Sequence, residues 1–178
     1  MNTAAGNIWS YVEKAVLVIP TNGYVTTNGR AVMGRGLALQ VKNRFIRAPY
    51  QLGRFIHNNG HKVGLFYDAA PTTPYPKLCS FPVKPVEKYI TDPSQLAPTT
   101  RCSFKLNTLV PGWACMADLN LIEMSAKQLA VLAEEQDWPL VVLPRVGCGN
   151  GGLVWNTVKP ILDNYLDNER FLVVHQKD

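Results

Sequence analysis

Residues 140–152 read LVVLPRVGCGNGG, and this stretch decides the fold. Its first four residues form a short apolar run, which is typical of a strand buried on both faces of a sheet. Pro144 ends the run, and a glycine-rich loop follows at 147–152. Apolar residues at Val158, Ile161 and Leu162 then recur at helical spacing. A buried strand, a glycine-rich loop and a helix in this order are typical of an α/β protein.

Apolar runs and helical spacings elsewhere in the chain repeat this alternation. The runs predict strands at residues 15–20, 63–67, 77–81 and 171–174. Apolar spacing predicts helices from near Gly34 to before Pro49, at 50–57, at 116–135, and after residue 152, where Thr157 would cap the helix and Pro160 would lie in its first turn. We therefore expect an α/β fold in which a mixed, mostly parallel sheet lies between helices and binds ligands at the carboxyl ends of its strands.

The composition fits one globular domain that spans residues 1–178. Hydrophobic residues make up 47% of the chain and charged residues 17%, which is enough apolar material for a core. One segment differs from the rest, because residues 85–112 show no regular apolar period. This segment contains Pro85, Pro93, Pro98 and Pro111. We expect it to be a long irregular excursion from the domain.

The sequence also indicates where the protein acts. No apolar run approaches the roughly 20 residues of a membrane-spanning helix, and the N-terminus lacks the pattern of a signal peptide. The four cysteines, Cys79, Cys102, Cys115 and Cys148, show neither disulfide nor metal-binding spacing. We expect a cytoplasmic protein with reduced thiols, no metal and no membrane contact.

The charges are unevenly distributed along the chain. Between Glu13 and Asp68 there are eight basic residues and no acidic residue, whereas ten basic and twelve acidic residues lie from Asp68 onward. The basic region 14–67 would attract phosphate groups, either of a small ligand or of nucleic acid. A solvent-exposed helix face in a mildly basic protein would produce the same pattern. Charge alone leaves both interpretations open.

Two glycine-rich loops are suited to holding phosphate. The first is Val32-Met33-Gly34-Arg35-Gly36-Leu37, which precedes a predicted helix, and the second is the loop at 147–152. Glycines let the backbone approach an anion, and a helix N-terminus adds partial positive charge. Neither loop is a Walker motif or a dinucleotide fingerprint. Two such loops in one small domain could hold a diphosphate from both sides.

These residues resemble the macrodomain family over most of the chain. Gly6-Asn7-Ile8 is similar to an early motif of the family, and the strand that ends at Asn22 resembles the one that ends in a ribose-binding asparagine. Within the family, both loops and the segment Phe81-Pro82-Val83-Lys84 look most like the antitoxin partners of DNA ADP-ribosylating toxins. The resemblance implies a three-layer α/β/α macrodomain-like sandwich.

The resemblance also implies a ligand and the residues that bind it. In this family the domain binds ADP-ribose, with adenine near Asn7, the diphosphate between the two loops and the distal ribose near Asn22. Because the turn at 23–29 is longer than in the antitoxin branch, Asn28 competes with Asn22 for the ribose. The implied ADP-ribose-binding residues are Asn7, Ile8, Asn22, Asn28, Val32, Met33, Gly34, Arg35, Gly36, Leu37, Arg145, Val146, Gly147, Cys148, Gly149, Asn150, Gly151 and Gly152.

In the antitoxin branch the lysine that matches Lys84 is catalytic, and the reaction removes ADP-ribose from a nucleobase without a cofactor. A lysine with a lowered pKa could attack the anomeric carbon or relay a proton to the leaving base. An exposed lysine or a simple phosphate contact would be the structural alternative. The other functions open to the family are hydrolysis of ADP-ribose 1″-phosphate and recognition of ADP-ribose without turnover. We expect a monomer that binds ADP-ribose or an ADP-ribosylated substrate, with nucleic acid contacting the basic region.

Overall fold

The computed structural model describes residues 1–68 and 75–176. Within those residues the chain forms eight strands and four α-helices. In chain order they are β1 (Asn2–Ala5), β2 (Val16–Thr21), α1 (Gly36–Arg44), α2 (Ala48–Asn59), β3 (Gly64–Asp68), β4 (Lys77–Pro82), β5 (Glu87–Ile90), β6 (Thr108–Pro111), α3 (Leu119–Glu135), β7 (Val141–Leu143), α4 (Trp155–Tyr165) and β8 (Phe171–His175).

Six of the strands form one sheet in the order β1-β8-β7-β2-β4-β3. All neighbouring pairs in this sheet are parallel except β3 and β4, which pair antiparallel. The sheet is therefore mixed and mostly parallel, and this confirms the predicted fold class. The parallel strands β2, β4 and β7 lie side by side, so their carboxyl ends meet at one edge.

The central strand β2 is buried on both faces. Val16 and Val18 pack in a core shared with α3 and α4, whereas Leu17 and Ile19 pack in a second core shared with α1 and α2. All four side chains are fully buried. Because successive strand residues face opposite sides, an uninterrupted apolar run serves two cores, and helices cover both faces of the sheet.

The helices differ from the sequence prediction mainly at their boundaries. The helix that was expected to run from near Gly34 to before Pro49 already ends at Arg44. The next helix begins at Ala48, before the expected residue 50, and places Pro49 in its first turn. Proline is tolerated there because the first N–H groups of a helix have no intrahelical partner. Pro49 thus belongs to the second helix and does not separate the two.

The predicted start of the last helix was wrong. Helix α4 begins at Trp155 with Val154 as its N-cap, so Thr157 does not cap it and Pro160 lies inside the helix. Trp155 packs against the larger core, and this tertiary contact favours an earlier start than capping residues alone predict. The short strand β1 was not predicted either, because its residues lack a long apolar run.

The segment at 85–112 is less irregular than its prolines predict. Strands β5 and β6 pair antiparallel, and the fully buried side chains of Ile90 and Leu96 belong to a separate small core. We refer to residues 85–112 as the β5–β6 insertion. Among the helices of the described residues, none is long and apolar enough to cross a membrane.

Three polar side chains form hydrogen bonds at the carboxyl end of β2. The Thr21 hydroxyl lies 3.0 Å from Ser80 Oγ and 3.3 Å from His61 Nε2. Gly23 packs against the same imidazole ring, because a Cβ there would lie 2.5 Å from His61 Nδ1. Burial lowers the pKa of His61 to about 4, so the ring is neutral in the folded protein at neutral pH.

This imidazole makes stability depend on pH. The pKa of His61 lies below its unfolded value of 6.5, so the unfolded chain takes up the proton first as the pH falls. The free energy of unfolding should therefore decrease between pH 6.5 and 4, by at most roughly 3 kcal/mol from this group. Thermal unfolding across this range should show a smaller decrease in His61→Gln than in the wild type. Equal pH dependence in both proteins would contradict the assignment.

Candidate functional site

A cavity of about 500 Å³ opens at the carboxyl ends of β2, β4 and β7. The ends of these strands contribute backbone and side chains to its wall, and the two glycine-rich loops contribute the rest. The lining residues are Pro20, Thr21, Asn22, Val32, Gly34, Arg35, Gly36, Leu37, Ala38, Val83, Lys84, Trp113, Pro144, Arg145, Gly147, Gly149, Asn150 and Gly151. The cavity therefore lies where ligands bind in parallel α/β sheets.

The first loop places the N-terminus of α1 at the cavity. Gly36 is the first residue of this helix and has a φ of 56°, a conformation that favours glycine. A Cβ at this position would lie 3.4 Å from the Asn150 amide nitrogen, so the two loops face each other at close range. Free N–H groups at a helix N-terminus attract anions.

The second loop is held in shape by its own backbone. The Leu153 N–H donates to the Gly147 carbonyl at 3.0 Å, and the Gly152 N–H donates to the Gly149 carbonyl at 3.0 Å. Gly147 has a φ of 74°. Gly151 packs against the turn so closely that a Cβ there would lie 2.2 Å from the Gly147 oxygen. The loop is thus a compact turn that only glycines at these positions can form.

Asn22 organises the approach to the first loop. Its amide nitrogen donates to the Val32 carbonyl at 2.9 Å, and its amide oxygen accepts from the Tyr24 N–H at 2.9 Å. The Val32 N–H in turn donates to the Tyr24 carbonyl at 2.9 Å. The side chain therefore closes the base of the segment at 22–32 while it lines the cavity. Its contact with a ribose stays a prediction.

Lys84 joins three parts of the site. The residue follows β4, is 7% exposed and lines the cavity. Its ammonium nitrogen donates to the Asn150 carbonyl at 3.0 Å and to the Trp113 carbonyl at 3.2 Å. Burial, with a smaller contribution from the nearby Arg35 cation, lowers the pKa of Lys84 to about 8. The exposed-lysine alternative therefore does not apply.

The backbone of the β5–β6 insertion approaches Lys84 closely. A Cβ at Gly112 would lie 1.6 Å from the Pro85 carbonyl oxygen, and the Gly112 N–H donates to the Val86 carbonyl at 2.7 Å. This contact places the next residue, Trp113, beside Lys84 although 28 residues separate them in the sequence. The Trp113 ring is 37% exposed and packs edge-on against Phe104.

Seven residues that the resemblance assigned to ADP-ribose do not line this cavity. Some serve the fold: Asn7 caps a short 3-10 helix through the Trp9 N–H, and Met33 and Val146 are buried in the two cores. Asn28 lies exposed at the tip of the segment at 22–32. Asn28 does not line the cavity as Asn22 does, and its contact with a ribose stays a prediction. The complete set outside the lining is Asn7, Ile8, Asn28, Met33, Val146, Cys148 and Gly152.

Burial raises the pKa of the Cys148 thiol, which contacts the Val146 carbonyl at 3.4 Å. A protonated thiol is a poor nucleophile, so a packing role fits better than covalent chemistry. In the part of the chain that the structure describes, no three His, Cys, Asp or Glu side chains come together as a metal site requires.

The lining also includes residues that sequence reasoning missed. Thr21, Val83 and Pro144 directly follow or end the strands whose carboxyl ends were expected to bind ligands, so their positions could have been predicted from the strand ends. Trp113 carried no comparable signal, because its place depends on the path of the β5–β6 insertion.

Two glycines of the second loop provide a matched test of its geometry. Gly151→Ala should lower the melting temperature, by an amount equivalent to roughly 1–3 kcal/mol, because the new Cβ would collide with the Gly147 carbonyl. Gly149→Ala should be close to neutral, since a Cβ there meets nothing within 4 Å. Thermal unfolding of the two variants tests this. Similar melting temperatures would show that the loop is not packed as described.

No sequence-family model matches the chain, and no curated protein sequence does. Solved structures are similar to it over almost its whole length. The macrodomain of Thermus aquaticus DarG is 24% identical with a TM-score of 0.67, and the macrodomain of Mycobacterium tuberculosis DarG is 19% identical with a TM-score of 0.69. Each match covers 99% of this chain and 97% of the other.

A third structure is Thermosipho africanus DarTG in complex with ADP-ribose. It is 20% identical with a TM-score of 0.66, and the match covers 99% of this chain and 42% of that chain. At these identities the comparison concerns the fold. The predicted resemblance is confirmed at that level: this chain has the macrodomain fold.

Proposed function

We propose that this protein binds ADP-ribose in the cavity and hydrolyses the glycosidic bond that joins ADP-ribose to a nucleobase. The observation that carries the proposal is Lys84, a buried amine with a lowered pKa that lies against the second glycine-rich loop. The bound ADP-ribose of T. africanus DarTG, which shares the fold, supports the ligand. The antitoxin-like Phe-Pro-Val-Lys segment supports the reaction.

The two loops supply what a diphosphate needs. Residues of the second loop and of the N-terminus of α1 line one cavity, and so do Arg35 and Arg145. The Arg145 guanidinium also lies 5.7 Å from the centre of the Trp155 ring. Two guanidinium groups and a helix N-terminus offset the two negative charges of a diphosphate. Asn22, at the end of β2, is then available to the distal ribose.

The hydrogen bonds of Lys84 orient its nitrogen. Nζ is tetrahedral, one position is occupied by Cε, and two N–H groups donate to the Trp113 and Asn150 carbonyls. The fourth position of Nζ carries a third proton in the ammonium form and a lone pair in the neutral amine. With a pKa of about 8, roughly a tenth of the molecules carry the amine at pH 7.

As a nucleophile, the amine would react in two steps. In the first, the Nζ lone pair forms a bond to the anomeric carbon, the carbon–nitrogen bond to the base breaks, and the base takes the electron pair and a proton from Nζ. In the second, water attacks the same carbon, the bond to Nζ breaks, and one proton of the water returns to the lysine nitrogen. The products are ADP-ribose and the free base.

As a proton relay, the ammonium form would act instead. Its third N–H would donate a proton to the base as the glycosidic bond breaks, and water would attack the anomeric carbon directly. Lys84 would then regain its proton from that water. Both routes consume one water per bond, but they require opposite protonation states of the same nitrogen.

We also propose that residues 1–178 form one domain that acts as a monomer in the cytoplasm. The modified nucleobase is part of a nucleic acid that contacts the basic region 14–67. The predicted ADP-ribose contacts of the lining residues belong to the same proposal.

Removing the amine should abolish turnover. Lys84→Met keeps most of the side-chain volume, so release of ADP-ribose from an oligodeoxynucleotide with one ADP-ribosylated base should fall by about 10²–10⁴-fold. Affinity for free ADP-ribose, measured by calorimetry, should stay within about threefold, a change below 1 kcal/mol. Lys88→Met is the matched control, because Lys88 does not line the cavity. Tight ADP-ribose binding without release by the wild type would instead indicate a reader of ADP-ribose.

The dependence of the rate on pH separates the two roles of Lys84. If the amine is the nucleophile, the single-turnover rate should rise about tenfold per pH unit below the pKa of about 8 and level off above it. A proton relay predicts a rate that falls above pH 8. We expect the first result, because the lowered pKa populates the amine. A rate that does not change across this range would exclude Lys84 from both roles.

A further inference from the structure

A second cavity, of about 870 Å³, lies between the segment at 22–32 and helix α2. One wall is the tip of this segment, including Val25, Thr26 and Gly29, and the other wall is one face of α2. The walls meet where a Cβ on Gly53 would lie 2.1 Å from the Gly29 oxygen and where the Ala31 N–H donates to the Pro49 carbonyl at 2.9 Å. We refer to this cavity as the α2 cleft.

One face of α2 is polar along its whole length. The cleft-lining residues Arg47, Tyr50, Gln51, Arg54 and His57 are spaced three or four apart, so they form one stripe on the helix. Ala48 and Leu52 on the other side are buried in the core. The core accounts for the buried side of this helix but leaves the stripe without a structural role.

The stripe carries uncompensated positive charge. Residues 14–67 contain no acidic side chain, and none of the ion pairs found among the described residues involves Arg47 or Arg54. Both side chains are exposed. A rise of about 1.5 Å per residue puts their backbones roughly 10 Å apart. Two separate cations suit a chain of phosphates better than a single small anion.

The cleft also offers groups that contact bases. The exposed Tyr50 ring has the Arg30 guanidinium 5.0 Å from its centre, and a ring stacked on one face by arginine can stack a base on the other. The Gln51 Oε1 atom is buried and has no hydrogen-bond partner. A buried amide oxygen without a donor is costly, and an N–H group of a ligand would satisfy it once the side chain turns into the cleft that Gln51 lines.

The segment at 22–32 connects the cleft to the catalytic cavity. Asn22 and Val32, at its base, line the first cavity, whereas Val25 and Gly29, near its tip, line the second. A bridge between Val25 and Ala31 and a 2.8 Å hydrogen bond from the Thr26 N–H to the Arg30 carbonyl keep the two strands of this segment together. The segment is therefore a short ordered wall with one cavity at its base and another at its tip.

We propose that the α2 cleft binds the sugar–phosphate backbone of a single-stranded nucleic acid, and that a base flanking the modified nucleotide stacks on Tyr50. Arg47 and Arg54 contact the phosphates, and Gln51 accepts a hydrogen bond from a base. The statement that this strand carries the modified base that enters the first cavity rests on the proposed function. The statement that the cleft binds nucleic acid does not rest on it.

Binding of a fluorescein-labelled, unmodified oligodeoxythymidylate, followed by anisotropy, tests the cleft directly. The wild type should bind more weakly as salt increases. Arg54→Glu should lose about tenfold in affinity, and Arg47→Glu/Arg54→Glu should lose more and reduce the salt slope by about 1.4. Tyr50→Ala should lose roughly fivefold without changing the slope. Lys127→Glu, the same charge change on the exposed face of α3, should bind like the wild type.

Equal affinities for the wild type and the arginine variants would overturn the inference. So would equal binding of a duplex of the same length, or preferential binding of a polyglutamate peptide, which would indicate an acidic protein partner. Calorimetry with free ADP-ribose separates this result from the proposed function, since the cleft variants should bind it normally. If neither the wild type nor any variant bound ADP-ribose but the oligonucleotide results held, the proposed function would fail and the cleft would remain a nucleic-acid site.

Discussion

The hydrogen bonds that Lys84 donates to the carbonyls of Trp113 and Asn150 hold its amine at the point where three segments of the site meet. They join the end of a central strand to the second glycine-rich loop and to the β5–β6 insertion, three segments far apart in the sequence. Burial of the ammonium lowers its pKa, and the two carbonyl dipoles offset only part of the lost hydration. One pair of contacts thus orients the lysine nitrogen, while burial sets its reactivity.

The glycines around this lysine have two physical roles. Gly36 and Gly147 adopt backbone conformations that other residues rarely take, whereas Gly112 and Gly151 let two backbone segments approach more closely than a Cβ would permit. The first role lets the two loops bend beside the cavity that they line, and the second fixes the surrounding segments. The site is therefore largely preformed by the backbone, and the charged side chains only complete it. Such preorganisation lowers the cost of binding a doubly charged ligand.

The sequence predicted the four helices and five of the eight strands, because these depend on local periodicity, whereas β1, β5 and β6 lack a regular apolar run. The runs around β2 and β7 and the spacing in α3 were sufficient for that. The start of α4 and the place of Trp113 were not predictable, since the first depends on how Trp155 packs and the second on how an insertion folds back. The resemblance placed Asn7 at the ligand, and this contact stays a prediction, because Asn7 lies outside the cavity lining. Local patterns locate loops, but only packing decides which of their side chains reach a cavity.

If Lys84 is a desolvated amine, its protonation can be observed directly. Protein with ¹³C-labelled lysine, assigned through Lys84→Met, allows titration of the Lys84 Cε resonance by NMR. We expect a midpoint near the pKa of about 8, well below the ordinary lysine value of 10.5. A midpoint close to the ordinary lysine value of 10.5 would contradict it, because a lysine that titrates normally is neither buried nor prepared to react.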